Sequence, residues 1–543
     1  VPSEFPFSSR RSAVYAANGM VATSQPLASE AGVAMLRAGG NAVDAAASAA
    51  AVLAVTEPCS CGLGGDAFAL CFRAKDGSVT ALNGSGRAPA RLSIDAVRRD
   101  GIAGDHLPAR HAHAVTVPGA VAALCDLVEA RGSLPLATIL GPAIELAERG
   151  FPVAPITAYH WQQGAESLAA APGGHRLLLG DRAPRAGELI RNRDQADVLR
   201  AIVEGGKRAF YEGDIAARIA DAVQAAGGAL STDDMAGHRS TWDAPISASY
   251  RGVRLWECPP NSQGLAALLA LSILRHCDIG RFADPLAPER LHLVIEALRL
   301  AFADSRSYVA DPGFARTPLD ELLDDDYAAR RARDIDVNRA NPNAVAGSPT
   351  GGSDTVYLSC ADRHGDACSF IFSNYMGFGT GIVPAGCGFP LQNRGAGFVL
   401  RPDHPNALAP RKRPYHTIIP AMATRESDGS LFASFGVMGG FMQPQGHVQV
   451  LLGLIDGGLD AQAALDAPRV CLEGGDAAGS VALEEGIPDS AVSDLARRGH
   501  DVRRVTGHDR ALFGRGQVVT CASDTGVYGG GSDPRADGLA IGL

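Results

Sequence analysis

Three observations predict an α+β fold. Before about residue 350 the chain shows long stretches of helical apolar periodicity with a few short strands between them. After Thr355 the balance changes to strand patterns punctuated by glycine-rich turns. The two regions meet at a polar run, Val337 to Gly352, that has no hydrophobic period and ends abruptly at Thr355. With 543 residues, 46% of them hydrophobic and 20% charged, the chain has enough apolar material for a large layered core.

The elements follow in order. Gly19 to Ser24 is a short apolar strand, and a helix is predicted from about Leu27 to Arg37, stopped by Gly39-Gly40. Asn41 is placed to cap the next helix, Ala42 to about Val55, which is apolar all round except for Asp44 and Ser48 and therefore has to be buried. Gly62-Leu63-Gly64-Gly65-Asp66 comes before a strand, Ala67 to Phe72, which is the wrong order for a dinucleotide fingerprint. It reads instead as a tight turn where backbones approach closely. Val79 to Asn83 is a further strand, followed by a loop carrying Arg87, a residue type that clamps carboxylates bidentately. His111 and His113 lie on a strand-like segment and lack a third metal ligand. Helices are expected from about Gly119 to Ala130, Leu136 to Arg149, Asp194 to Gly227, Leu265 to His276 and Leu291 to Tyr308, with a short β segment from Ser247 to Cys258. Beyond the join, Val356 to Leu358 and Ala367 to Phe372 form a hairpin across an Asp362–Asp366 turn. Leu431 to Val437 is a strand, and Gly439-Gly440 precedes a helix, which presents backbone N–H groups where an oxyanion is stabilised.

Composition narrows the function classes. The formal net charge is −10, from 49 Lys plus Arg against 59 Asp plus Glu, which argues against nucleic-acid or anionic-membrane partners. No stretch reaches the ~18–20 apolar residues of a membrane span, and Val1 to Ala16 has no apolar signal core. The eleven cysteines are an odd number without disulfide or zinc spacing, and Cys59 and Cys61 form the closest pair. A reducing, cytoplasmic setting is the expectation, with a periplasmic one open if a signal was trimmed.

The chemistry concentrates at the join. A cut between Asp354 and Thr355 would give Thr355 a free α-amino group beside its own hydroxyl. A Thr hydroxyl is a weak nucleophile without an adjacent base, and an N-terminal amine supplies that base. Its ordinary pKa of about 7.7–8.0 leaves a useful neutral fraction near pH 7.

Ordered segments along nearly the whole chain then carry a resemblance. They include Gln25-Pro26-Leu27-Ala28, Gly39 to Ala45, Val117-Pro118-Gly119, Pro142 to Val153, Tyr250-Arg251-Gly252, Pro259 to Gly264, Glu296-Ala297, Asp354-Thr355, Phe378 to Gly381, Lys412-Arg413-Pro414, Gly439-Gly440 and Ser532 to Arg535. In these segments the sequence resembles the γ-glutamyltranspeptidase family of N-terminal-nucleophile hydrolases. The resemblance implies a four-layer αββα sandwich and a proenzyme that cuts itself before Thr355. A large subunit, 1–354, and a small subunit, 355–543, then stay together as a heterodimer. It implies Thr355 as nucleophile, Ser373 as its supporting hydroxyl and Gly439 with Gly440 as the oxyanion hole, with no metal or other cofactor and a small-molecule amide as substrate.

The implied substrate pocket departs from the family pattern. The position of the family's carboxylate-binding Arg is Ser85, with Arg87 two residues on, and that of the Asn is Tyr375, with Asn374 beside it. The acidic positions are Arg394 and Gly397, and the paired serines are His416 and Thr417. A glutamyl ammonium would meet Arg394 where the family offers an acid, which favours a dicarboxylic or simpler acyl amide. The short segment between Gly397 and Lys412 implies an open site. Three functions stay open: γ-glutamyl hydrolysis or transfer from glutathione and related amides, a cephalosporin-acylase-like activity on another amide, and a self-processing scaffold without catalysis.

Overall fold

The computed structural model describes residues 11–344 and 354–543. Two seven-stranded antiparallel sheets stack face to face, with helices covering both outer faces. In the first sheet the order is Leu539–Gly542, Gly19–Thr23, Asp354–Asp362, Ala367–Tyr375, Asp66–Arg73, Ser78–Asn83 and Thr241–Asp243. In the second it is Val14–Ala16, Tyr528–Ser532, Arg515–Cys521, Leu431–Met438, Ala421–Arg425, Val253–Glu257 and Ile246–Tyr250. This is the αββα sandwich, and both sheets contain strands from before and after residue 354.

The strand alternation explains the layers. In Asp354–Asp362, Val356, Leu358 and Cys360 join the apolar cluster under the helices, whereas Tyr357 and Ala361 join the cluster between the sheets. The buried helix Ala42–Thr56 forms as expected, with Asn41 and Asp44 closing a reciprocal capping box and every residue buried. It packs on Asp354–Asp362 and Ala367–Tyr375. On the other face, Gly264–Arg275, Pro288–Tyr308 and Met442–Ile455 cover the second sheet. The sheets meet closely because Gly436 has no side chain: a Cβ there would lie 2.6 Å from the Tyr357 ring.

Three expectations change. The stretch from Asp194 to Gly227 is three helices, Arg193–Gly205, Lys207–Tyr211 and Asp214–Ala225, broken at Gly206 and Gly213, whose φ values are 62° and 77°. The segment at His111 and His113 is a 3-10 turn, Ala112–Ala114, because His111 Nδ1 accepts the His113 N–H at 3.1 Å and diverts the backbone from a ladder. The β segment from Ser247 to Cys258 is two strands joined at Arg251-Gly252. The first part of the polar run is irregular but pinned: Ala340 N donates to Arg498 O and Asn341 N to Glu296 Oε2. Residues 345–353 of that run, and Val1 to Arg10, lie outside the described residues. Among the described residues no helix is long and apolar enough to cross a membrane, and the eleven cysteines are free.

Candidate active site

Thr355 is the second residue of Asp354–Asp362, at an irregularity in the ladder where the register with Ala367–Tyr375 shifts between Asp354 and Val356. Bulges of this kind re-aim a side chain. The Thr355 hydroxyl donates to Ser373 Oγ at 3.2 Å, and Ser373 Oγ also accepts the Tyr375 N–H at 2.8 Å. Tyr375 has a left-handed backbone, φ 79°, rare for a bulky residue. The Arg394 guanidinium stacks on its ring at 4.0 Å.

Arg394 is fully buried. Its Nη1 donates to Thr417 Oγ1 at 2.7 Å, while Nε and Nη2 meet no partner among the described residues. Burial pulls its pKa down to about 10, against the raising fields of Tyr375 and Asp66, so it stays a cation at neutral pH. Asp66 anchors the same corner. Its Oδ1 accepts from Gly86 N, Gly119 N and Gln392 Nε2, at 2.9, 3.1 and 2.9 Å. Burial raises Asp66 to about 6. His416 Nδ1 accepts the Ile418 N–H, which leaves Nε2–H to donate to Asp66 Oδ2 at 3.1 Å. Burial and the nearby Arg394 hold His416 well below its usual range, so it is neutral and the contact is a hydrogen bond between a neutral ring and a carboxylate.

The second sheet brings the remaining part. Leu431–Met438 ends at Gly439 and Gly440, with φ 129° and 60°, and the helix Met442–Ile455 follows. Both dihedrals lie where L side chains are strained. Met442 N and Gln443 N donate to the carbonyls of Gly439 and Gly440, and neither glycine N–H meets an acceptor among the described residues. Gln263 Nε2 bridges the carbonyls of Thr417 and Gly440, at 2.5 and 2.8 Å. Gln443 Nε2 reaches Thr355 Oγ1 at 3.4 Å. The contacts therefore close a ring from Thr355 through Ser373, Tyr375, Arg394, Thr417, Gln263, Gly440 and Gln443.

Most of the residues singled out from the sequence are on or beside this ring, and two are elsewhere. Asn374 points to the opposite face of its strand from Ser373, and its Nδ2 donates to the carbonyls of Pro58 and Cys61. It clamps the turn before Gly62 instead of facing Arg394. Arg87 pairs with Asp311 Oδ2 at 3.3 Å and donates to Arg411 O, and among the described residues no hydrogen bond or ion pair joins it to the ring. The expected open site is closed in the continuous chain: Thr355, Ser373, Arg394 and His416 have no exposed surface. The Gly397–Lys412 segment folds on itself, with Asn406 Nδ2 bonded to Gly397 O and Phe398, Leu400 and Leu408 packed in a small core.

Sequence reading missed Asp66, Gln263 and Gln443 as site residues. The first two lay inside segments already picked out, the Gly62–Asp66 turn and the Pro259–Gly264 match. Gln443 carried a weaker signal, a glutamine in the first turn of a helix that is otherwise largely apolar.

A two-sheet sandwich with a threonine on a central strand, facing a glycine pair on the other sheet, is the architecture of the N-terminal-nucleophile hydrolases. The chain belongs to the γ-glutamyltranspeptidase family, whose description, Gamma-glutamyltranspeptidase, matches residues 28–543. It is 37% identical to the glutathione hydrolase-like YwrD proenzyme of Bacillus subtilis (strain 168), over 96% of this chain and 98% of that protein. It is 34% identical to the oxamate amidohydrolase proenzyme of Klebsiella pneumoniae, over 97% and 98%. The crystal structure of cephalosporin acylase from Bacillus halodurans superposes with a TM-score of 0.91 at 44% identity, covering 100% of this chain and 99% of that one. The protein is thus an enzyme of a family of hydrolases and transferases made as proenzymes.

Proposed function

We propose that this chain is the precursor of a self-cleaving amidohydrolase whose acyl substrate carries a carboxylate and no ammonium group. Arg394 carries this reading: it is a buried cation with two guanidinium nitrogens that meet no partner among the described residues. A substrate carboxylate would satisfy both donors bidentately. An α-ammonium group beside the same cation would be repelled.

Self-cleavage starts with Thr355 Oγ adding to the Asp354 carbonyl carbon. The C–N bond breaks, the nitrogen takes the hydroxyl proton, and an ester joins Asp354 to Thr355 Oγ. Water hydrolyses that ester and leaves a large and a small subunit, 1–354 and 355–543, held together as a heterodimer. In turnover the freed α-amine takes the Thr355 hydroxyl proton as Oγ attacks the substrate amide. The N–H groups of Gly439 and Gly440 receive the oxyanion. The amine passes the proton to the leaving nitrogen, the acyl group stays on Thr355, and water, or an acceptor amine, releases it.

The second reading, γ-glutamyl hydrolysis or transfer, is supported by the 37% identity with a glutathione hydrolase-like proenzyme. Glutaryl-p-nitroanilide and γ-glutamyl-p-nitroanilide differ only by the α-ammonium group, so they separate the two. The expected result is a preference of about 100-fold or more in kcat/KM for the glutaryl compound, the scale of a several-kcal/mol like-charge penalty. Preference for the γ-glutamyl compound would overturn the acylase reading in favour of the second. Thr355→Ala should remain one uncut chain without turnover, as read by intact mass.

A further inference from the structure

Gln443, like Ser373, touches the Thr355 hydroxyl. It occupies the first turn of Met442–Ile455 and has no exposed surface. Three contacts fix it. Its backbone N–H donates to Gly440 O at 3.2 Å, its Oε1 accepts the Ile419 N–H at 2.9 Å, and its Nε2 reaches Thr355 Oγ1 at 3.4 Å. The Ile419 contact decides which way the amide points. A backbone N–H is only a donor, so the atom facing it is the oxygen and the NH2 group faces Thr355.

A hydroxyl has one proton and two lone pairs. The Thr355 proton goes to Ser373 Oγ and the Gln443 N–H occupies one lone pair, leaving the other lone pair for attack. As the proton departs, negative charge grows on Oγ, and an N–H donor to an oxyanion is shorter and stronger than one to a neutral hydroxyl. Catalytic hydrogen bonds of this kind are often long before the reacting state forms.

Resting on the assignment of Thr355 as nucleophile, we propose that Gln443 is a catalytic residue. Its side-chain amide orients Thr355 Oγ and carries part of its developing charge, in self-cleavage and in acyl transfer alike. The same residue ties the nucleophile to the Gly440 turn through its backbone, so nucleophile and oxyanion hole are set by one helix terminus.

The test uses full-length precursor made by cell-free synthesis, chased for self-cleavage by gel and mass, and then assayed with glutaryl-p-nitroanilide. Gln443→Met removes the donor at similar volume. Gln443→Glu keeps an acceptor for Ile419 but presents a carboxylate oxygen to Thr355. Both should slow self-cleavage and lower kcat by about 10- to 100-fold, the scale of one hydrogen bond to a charging oxygen, with KM within about twofold. The pH dependence separates chemistry from structure. Protonating the new carboxylate restores an O–H donor, so the ratio of Gln443→Glu to wild-type self-cleavage should rise as pH falls, while the Gln443→Met ratio stays flat. Wild-type rates in Gln443→Met would overturn the proposal, as would a flat ratio for Gln443→Glu. If Gln443→Met fails to fold, the Gln443→Glu profile alone decides. Thr355→Ala run alongside keeps the two levels apart: self-cleavage in that variant, or an uncut wild type, would overturn the nucleophile assignment itself.

Discussion

Replacing Asp66 by asparagine should change how stability depends on pH in a calculable way. The Asp66 carboxyl is fully buried and sits at about 6 instead of its ordinary 3.8, with burial the main cause. A carboxyl whose pKa is raised by folding binds its proton more tightly in the folded state. Its contribution is therefore most favourable below pH 3.8 and is lost as pH rises through 6. At 1.36 kcal/mol per pH unit the full loss is about 3 kcal/mol, of which about 2 kcal/mol falls between pH 4.5 and 8. An asparagine side chain has no such titration. The difference in stability between wild type and Asp66→Asn should thus shrink, or shift against wild type, by about 2 kcal/mol across that range. For a chain of this length that is about 2 °C in Tm. The assay is paired thermal melting at one scan rate from about pH 4.5 to 8. The offset at any single pH reflects how the asparagine amide meets His416, and only the slope of the difference reports the carboxyl. Parallel Tm curves for the two proteins would refute the reasoning. The same titration touches function, because below about pH 6 Arg394 loses the nearest buried anion that offsets its charge.

Three further outcomes are expected. Arg394→Met should lower kcat/KM for glutaryl-p-nitroanilide by about 10- to 150-fold, the value of charged hydrogen bonds, and leave butyryl-p-nitroanilide within about threefold. Gly65→Ala drives a Cβ into the Ser373 carbonyl oxygen. It should cost about 1–3 kcal/mol, read by melting, and slow self-cleavage by moving Ser373. Asp533 lies between Arg469 and Arg535, accepting from them at 2.8 and 2.9 Å. Asp533→Ala takes the paired carboxylate from buried Arg469, while Arg535 keeps Glu484, and should cost about 3–5 kcal/mol, or about 3–4 °C in Tm.

The sequence spoke most clearly where local chemistry and tertiary demand agree. Asn41 with Asp44 caps a helix whose apolar character already requires burial, and the Asp362–Asp366 turn closes the hairpin behind Thr355. It was silent where a local signal pointed away from the fold. Tyr528–Ser532 contains three consecutive glycines, a composition that weakens a strand, yet it is the second strand of its sheet. The glycines are there because neighbours press in: a Cβ at Gly530 would lie 2.5 Å from Met20 Sδ, and one at Gly531 2.6 Å from the Ala461 backbone. At the candidate site, Thr355, Ser373 and the glycine pair were singled out because they lie at the end of a polar run, on a hairpin strand and at a strand-to-helix turn, and the fold brings them together. Asn374 and Arg87 were singled out too, but strand alternation puts the first on the opposite face from Ser373, and the second pairs with Asp311. Gln443 lies 88 positions from Thr355, and only the stacking of the two sheets brings them together.

The sharing of both sheets between strands from the two sides of residue 354 has a thermodynamic consequence. Asp354–Asp362 is hydrogen-bonded on one flank to Gly19–Thr23, and Ala367–Tyr375 on its outer flank to Asp66–Arg73. In the other sheet, Val14–Ala16 pairs with Tyr528–Ser532 and Ala421–Arg425 with Val253–Glu257. Neither segment owns a complete sheet, so each must wait for the other to fold. While the chain is whole, that meeting is unimolecular and indifferent to dilution. Were the Asp354–Thr355 bond cut as proposed, a denatured enzyme would have to reassemble from two separate molecules, and its recovery would become a matter of concentration. Scission would then act as a ratchet, leaving an enzyme that keeps its shape but has lost the route by which it acquired it.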